Sequence, residues 1–151
     1  MRRKTMKDAT CPIARSLDEI GDWWTLLIVR EAFRGAERFG HFEKRLGMAK
    51  NILSARLKKM IADGILEMRP DEDGAHHSYH LTAKGESLRL VLVALRQWGE
   101  DHLYQDGEQM TVLVDNAEGR PIGRLHLTDR DGRPLGNRDM QGREGQAGEQ
   151  R

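Results

Sequence analysis

Apolar residues recur at helical spacing along the first two thirds of the chain, and at strand spacing in a few short places. Ile13, Leu17 and Ile20 fall at i, i+4 and i+7, which predicts an amphipathic helix stopped by Gly21. Asp22 can then offer its carboxylate to the first free N–H groups of a second helix, WWTLLIVREAF. Trp23, Trp24, Leu27, Ile28 and Val29 make that helix apolar round most of its girth, so it should be the central core helix, closed by Gly35. A third helix is expected from about Gly40 to Leu46, burying Phe42 and Leu46, with Gly47 breaking it. A fourth runs from about Lys50 to Asp63 and ends at Gly64. ILEMR (65–69) and SYHLT (78–82) read as two strands around PDEDGAHH, where proline and the Asp-Gly pair are turn chemistry.

Thr82 can cap a long final helix through about Leu103. Leu88, Val91, Leu92, Leu95 and Trp98 form one apolar stripe on it, and Leu90, Val93 and Ala94 a second. A helix apolar on nearly all sides must be covered on all sides. One stripe is expected to pack on the chain's own core and the other, Leu90, Val93 and Ala94, on the same helix of another subunit, with Ile13, Leu17 and Trp98 at that interface; the alternative is that the hairpin or the C-terminal segment covers it within one chain. Beyond Tyr104, Met110–Val114 and Pro121–Leu127 read as strands joined by DNAEGR, with a further turn at DRDGRP. The organisation expected is a flexible basic arm (1–10), a main domain (11–104), a β-hairpin extension (105–136) and a disordered Gly-, Gln- and charge-rich tail (137–151).

Two short helices parted by a Gly-containing turn make a helix-turn-helix, and the hairpin after them makes a wing. The fold class is therefore mainly α with a small β wing: a winged helix-turn-helix with a long C-terminal dimerisation helix and an appended β-hairpin. In the fourth helix Leu53, Leu57, Met60 and Ile61 point inward. Asn51, Ala55, Lys58 and Lys59 lie opposite, with Lys50 and Ser54 beside them. An α-helix fits the major groove of B-DNA, and these residue types suit it. Asn can bond an adenine edge, Lys reaches guanine acceptors, Ser bonds either, and Ala55 permits close approach. Lys58, Lys59 and, from the flank, Arg56 suit phosphates, while Ile52 can meet a thymine methyl or simply pack.

Charge sharpens this reading. The total is only +1, but residues 1–60 hold 14 Lys+Arg against 7 Asp+Glu, a net +7. Residues 61–104 are net −4 and residues 105–151 net −2. A basic segment on a near-neutral chain can meet a polyanion locally. The wing departs from that, with Asp71, Glu72 and Asp73 ahead of His76 and His77. Protonation of His76, His77 and His80 near pH 6 would offset those acids and tighten contact with DNA.

Composition excludes several classes. The longest apolar run, Leu90–Leu95, falls far short of the roughly 18 residues of a membrane span. The start lacks the apolar stretch of a secretory signal, so a cytoplasmic, nucleoid-associated protein is expected. A single cysteine, Cys11, excludes an internal disulfide framework and multi-cysteine metal sites. The three wing histidines lack a carboxylate or thiolate at ligand spacing, and Asp129 and Asp131 do not complete a calcium loop. No metal and no cofactor are expected. No nucleophile elbow, P-loop or HExxH motif is present, so no enzyme is expected.

Taken together, Cys11-Pro12, GDWWTLLIVREAFRG (21–35), RFGHFEKRLGMAKNILSARLKKMIADGIL (38–66), YHLTAKGESL (79–88) and Gln97-Trp98-Gly99 resemble the HxlR-type winged-helix transcriptional regulators, relatives of the MarR group. The likeness spans about Cys11 to Leu103. It implies a homodimer on a palindromic or near-palindromic operator, the two fourth helices in adjacent major grooves about 34–36 Å apart. In some members the cysteine equivalent to Cys11 senses oxidants or electrophiles, and nearby Lys7 and Arg15 would favour a thiolate here. The competing reading of Cys11 is a small buried apolar residue pinning the first helix to the dimer helices. Three features depart from the family pattern: Ala49 where Ser or Thr often caps the fourth helix, Trp23 where a basic residue is common, and the acidic wing.

The function expected is a DNA-binding regulator, more readily a repressor, that responds to a small molecule held between dimer helices and core or to oxidation at Cys11. The alternative is a winged-helix module that binds protein rather than DNA.

Overall fold

A computed structural model describes residues 5–72 and 74–148. Parts of the expected basic arm (1–4), the wing (Asp73) and the tail (149–151) lie outside the described residues. The chain divides into two compact units, residues 1–96 and 97–151.

The first unit runs α1 (Pro12–Ile20), α2 (Trp23–Phe33), α3 (Phe39–Leu46), α4 (Lys50–Ala62), β1 (Leu66–Pro70), β2 (His77–Leu81) and α5 (Ala83–Ser87). A last helix, α6 (Arg89–His102), begins in this unit and ends in the next. Each boundary has a local cause. Asp22 accepts from the Thr25 N–H at 3.0 Å and from its hydroxyl at 2.7 Å, capping α2. Gly47 closes α3 at φ 63°, a conformation glycine adopts without strain.

The core is one cluster. Ile28 and Val29 of α2, Phe42 of α3, Leu53, Leu57 and Met60 of α4, and Ile65 and Leu66 at the start of the sheet are all almost fully buried. Ile61, expected with them, is half-buried and packs on the cluster's edge. β1 and β2 pair antiparallel, Leu66 opposite Leu81 and Pro70 opposite His77. The Tyr79 N–H donates to the Glu37 carbonyl at 2.7 Å, tying β2 to the loop before α3. The Tyr79 ring meets Phe42 edge-on at 6.3 Å between centroids.

The expected single C-terminal helix is two. The Thr82 hydroxyl caps α5 by accepting from the Gly85 N–H at 3.1 Å. The Leu88 N–H then reaches back only three residues, to Gly85, and this tight turn breaks the helix before α6 starts. The two expected stripes of α6 are also redistributed. Leu88 and Leu92 pack against the core as expected, but Val91, Leu95 and Trp98 are 43%, 52% and 55% exposed. Val93, expected to face a partner, is buried at 7% exposure. At about 100° per residue, Leu90, Ala94, Trp98, Val91 and Leu95 form one continuous exposed arc. Periodicity named both stripes; only the placement of the core decides which is covered.

The second unit is built differently. Buried Gln97 donates from Nε2 to the Gly123 carbonyl at 3.0 Å and accepts at Oε1 from the Leu125 N–H at 2.9 Å. Arg124 pairs with Glu100 at 3.3 Å and with Asp101. The expected strands shrink to isolated bridges, Val114 to Pro121 and Thr128 to Pro134. Proline cannot donate to a ladder, and the Asp115 and Asp129 carboxylates draw backbone N–H groups into turns instead.

Candidate nucleic-acid interface

The turn Gly47–Met48–Ala49 anchors α4 through buried Met48 and turns the helix's polar side outward. Leu53, Leu57 and Met60 stand at 0–1% exposure on the inner side. Lys50, Asn51, Ala55, Lys58 and Lys59 are exposed on the outer side, with Ser54 half-buried between. Ile52 is 43% exposed, off the core. Ala49 occupies the N-cap and makes no side-chain bond, so the first-turn N–H groups have no cap.

Ion pairs distinguish the cations of this helix. Arg56, expected to reach phosphates, holds Asp22 at 3.1 Å and so braces α4 against the start of α2. Lys59 pairs with Asp63 and Lys50 lies 3.8 Å from Glu43. Lys58 is exposed, and no ion pair to it is found among the described residues. Trp23, beside Asp22, is 75% exposed and edge-on to Trp24.

One of the wing carboxylates, Asp71, has a cationic partner. Arg38, which precedes α3, pairs with Asp71 at 2.5 Å, and Arg69 pairs with Glu67. His76 and His77 are exposed at the start of β2, whereas His80 faces the Ser78 hydroxyl at 2.8 Å. A cleft of about 570 Å³ opens here, lined by Arg38, Arg69, Pro70, Asp71, Glu72, Ser78 and His80. Two guanidinium groups balanced by two carboxylates make it polar with no strong sign.

Two features escaped sequence reasoning. The Arg38–Asp71 pair joins residues far apart in the chain and left no local signal. Glu31 did leave one, an acid on the apolar helix with Arg30 and Arg34 at neighbouring and i+3 positions. It is 1% exposed, with Arg30 at 2.8 Å and Arg34 at 3.3 Å from Oε1. Arg45 of α3 lies 3.7 Å from Oε2. Oε1 is compensated by the two arginines of its own helix, whereas Oε2 has no hydrogen-bond partner among the described residues and only the longer ion pair to Arg45 of α3, so a buried charge is held with incomplete compensation.

Cys11 is exposed in the single chain, at the N-cap of α1. On α1 and α6, Ile13, Leu17 and Leu90 are 70%, 48% and 66% exposed. Among the described residues no helix is long and apolar enough to cross a membrane.

Known proteins with this arrangement are regulators. The model of the HxlR-like helix-turn-helix family matches residues 19–107. The chain is similar to an HTH-type transcriptional regulator of Mycobacterium tuberculosis, 40% identical over 117 residues that cover 77% of this chain and 67% of that one. One from Synechocystis is 32% identical over 107 residues, 69% of this chain and 78% of its own. Among solved structures, PA1607, described as a candidate transcription factor, is 46% identical with a TM-score of 0.90, covering 94% of this chain and all of its own. The redox regulator HypR in its reduced form is 25% identical with a TM-score of 0.57, covering 62% of this chain and 94% of its own. Winged-helix transcription factors thus share the fold, and residues 108–151 extend past the family's matched region. The chain belongs to the HxlR-like helix-turn-helix family of transcriptional regulators.

Proposed function

We propose that two copies of this chain bind a near-palindromic operator and act as a repressor in the cytoplasm, at the nucleoid. The observation that carries this reading is the division of α4 into a fully buried apolar side and an exposed side bearing Lys50, Asn51, Ala55, Lys58 and Lys59. Lys50, Asn51, Ser54 and Ala55, in the first half of the helix, read base edges. Lys58 and Lys59 take phosphates, with His76 and His77 at the flanking backbone. The uncapped first turn of α4 suits a phosphate oxygen, which would accept its N–H groups. The exposed faces of α1 and α6, through Ile13, Leu17, Leu90, Ala94 and Trp98, set the two reading helices at a fixed spacing.

Anisotropy titration of labelled DNA from upstream of the protein's own gene tests this. Lys50→Ala and Asn51→Ala should each cost about 1–3 kcal/mol on the preferred site and relax its base preference. Unchanged affinity in both variants would overturn the groove assignment.

A redox response is a second layer of the proposal, favoured by the exposure of Cys11 and by the likeness to a named redox regulator. Mild peroxide should weaken operator binding in the native protein and leave Cys11→Ser unaffected. Equal loss in both would remove Cys11 from that role.

A further inference from the structure

We propose that Lys84 is a positioning residue for operator binding: it ties the C-terminal end of α4 to α1 and so fixes the direction in which that helix enters the groove. The inference rests on the operator reading above and adds to it a residue outside the reading surface.

A helix leaves its last carbonyls without partners of its own, and α4 answers this with a closed end. The Gly64 N–H returns to the Ile61 carbonyl at 3.0 Å and the Ile65 N–H to the Met60 carbonyl at 2.9 Å, with Gly64 at φ 71°. The Asp63 carbonyl lies just beyond these and accepts from the Lys84 ammonium at 2.7 Å. A cation placed there also meets the negative end of the helix dipole. The same ammonium pairs with the Glu19 carboxylate in the last turn of α1. One nitrogen of α5 thus joins the end of α4 to α1. The start of α4 has no such fixture, because Ala49 makes no side-chain bond there.

A single tie would let α4 pivot, and Arg56 supplies another. It pairs with Asp22 at 3.1 Å, and Asp22 follows Glu19 across the corner between α1 and α2. At 1.5 Å per residue Arg56 and Asp63 stand about 10 Å apart along the helix axis. Two ties at that separation, both made to one corner, hold a direction rather than a point. Productive contacts tolerate misplacement of only about 0.5 Å, so a tilt of α4 costs bonds to base edges. Attraction to phosphates is long-ranged and survives it. The side chains of Lys84 and Glu19 are 54% and 32% exposed, so the pair adds little to the stability of the fold. Its effect falls on aim.

Anisotropy titrations against the preferred site and against unrelated DNA of equal length test this in the native chain, Glu19→Ala, Lys84→Met and the double variant. Glu19→Ala removes the tie to α1 alone; Lys84→Met keeps the aliphatic stem and removes both bonds. Each single change should weaken binding to the preferred site about fivefold. The double variant should be no weaker than Lys84→Met, because the two residues share one interaction. Affinity for unrelated DNA, the salt slope and the urea midpoint should stay as in the native chain. The Gly64 and Ile65 amides should exchange faster in Glu19→Ala, although Glu19 bonds neither. Parallel loss on both DNAs with a shallower salt slope in Lys84→Met would overturn the inference, because Lys84 would then be a phosphate contact. Unchanged affinity with unchanged exchange would also overturn it, and would leave the operator reading standing. A native chain that prefers no DNA site would overturn the operator reading, while faster exchange at Gly64 and Ile65 would still uphold the tie itself.

Discussion

Single residues carry opposite assignments in α4. Arg56 is tied to Asp22, so Arg56→Ala should lower stability by about 1 kcal/mol in urea unfolding and leave the salt dependence of DNA binding unchanged. Lys58→Ala should do the reverse, reducing the slope of log affinity against log salt by about 2, roughly 0.9 for each copy's contact, with unfolding unaltered. Ala49 gives a third case. Ala49→Ser introduces the absent cap and should stabilise the fold by about 1 kcal/mol. If α4 accepts a phosphate at that end, the same change should weaken rather than strengthen operator binding. Asp129, in the turn after residue 128, is a carboxyl whose surroundings favour its ionised form. The Arg133 backbone N–H, aided by its guanidinium, holds the carboxyl below its usual range against the opposing effect of desolvation. Because the folded pKa is depressed, this contribution is present above the unfolded carboxylate range and is lost as pH falls through the folded value. Loss of the Arg133 amide's protection on acidification, read by NMR, checks it.

Elements show where sequence patterns suffice and where they stop. α2 was legible because an Asp cap, an apolar girth and a glycine stop are all local, and α4 because its polar and apolar sides separate cleanly at helical spacing. α6 was legible as a helix but not as a surface. Its apolar residues surround the axis, and burial of Val93 rather than Leu95 depends on where distant elements lie. The extension between 110 and 127 alternates like strands, but strands need a ladder, and Pro121 with two turn-forming aspartates left isolated bridges. The Arg38–Asp71 pair at the wing was illegible for the same non-local reason, since Arg38 comes from the loop before α3. Arg38→Ala should therefore weaken operator binding several-fold by baring that carboxylate to the DNA, and Arg38→Ala with Asp71→Asn should recover most of the loss in the same titration.

At the scale of the whole molecule, a chain of net +1 is expected to behave toward DNA as a strongly basic one. The lysines proposed to approach phosphate come from the +7 segment, and the net-negative blocks lie elsewhere in the chain. If two copies make 6–10 phosphate contacts, affinity should fall by about 10³–10⁵ between 50 and 200 mM salt. A nearly flat salt response would point instead to the protein-binding alternative. Moving the operator half-sites apart by 5 base pairs should abolish binding, and restoring a full helical turn should recover part of it.

Gly85 sits so close to the start of the sheet that a Cβ there would run into the Ile65 carbonyl oxygen. Thr82 bonds the neighbouring Gly64 and Ile65 carbonyls from the same turn. Those carbonyls directly follow the reading helix, and Gly85 lies just before α6. In the proposed dimer this seat would link any shift of the segment leading into α6 to the end of α4, so Gly85→Ala should alter operator affinity as well as stability, read by the same anisotropy titration and by urea unfolding.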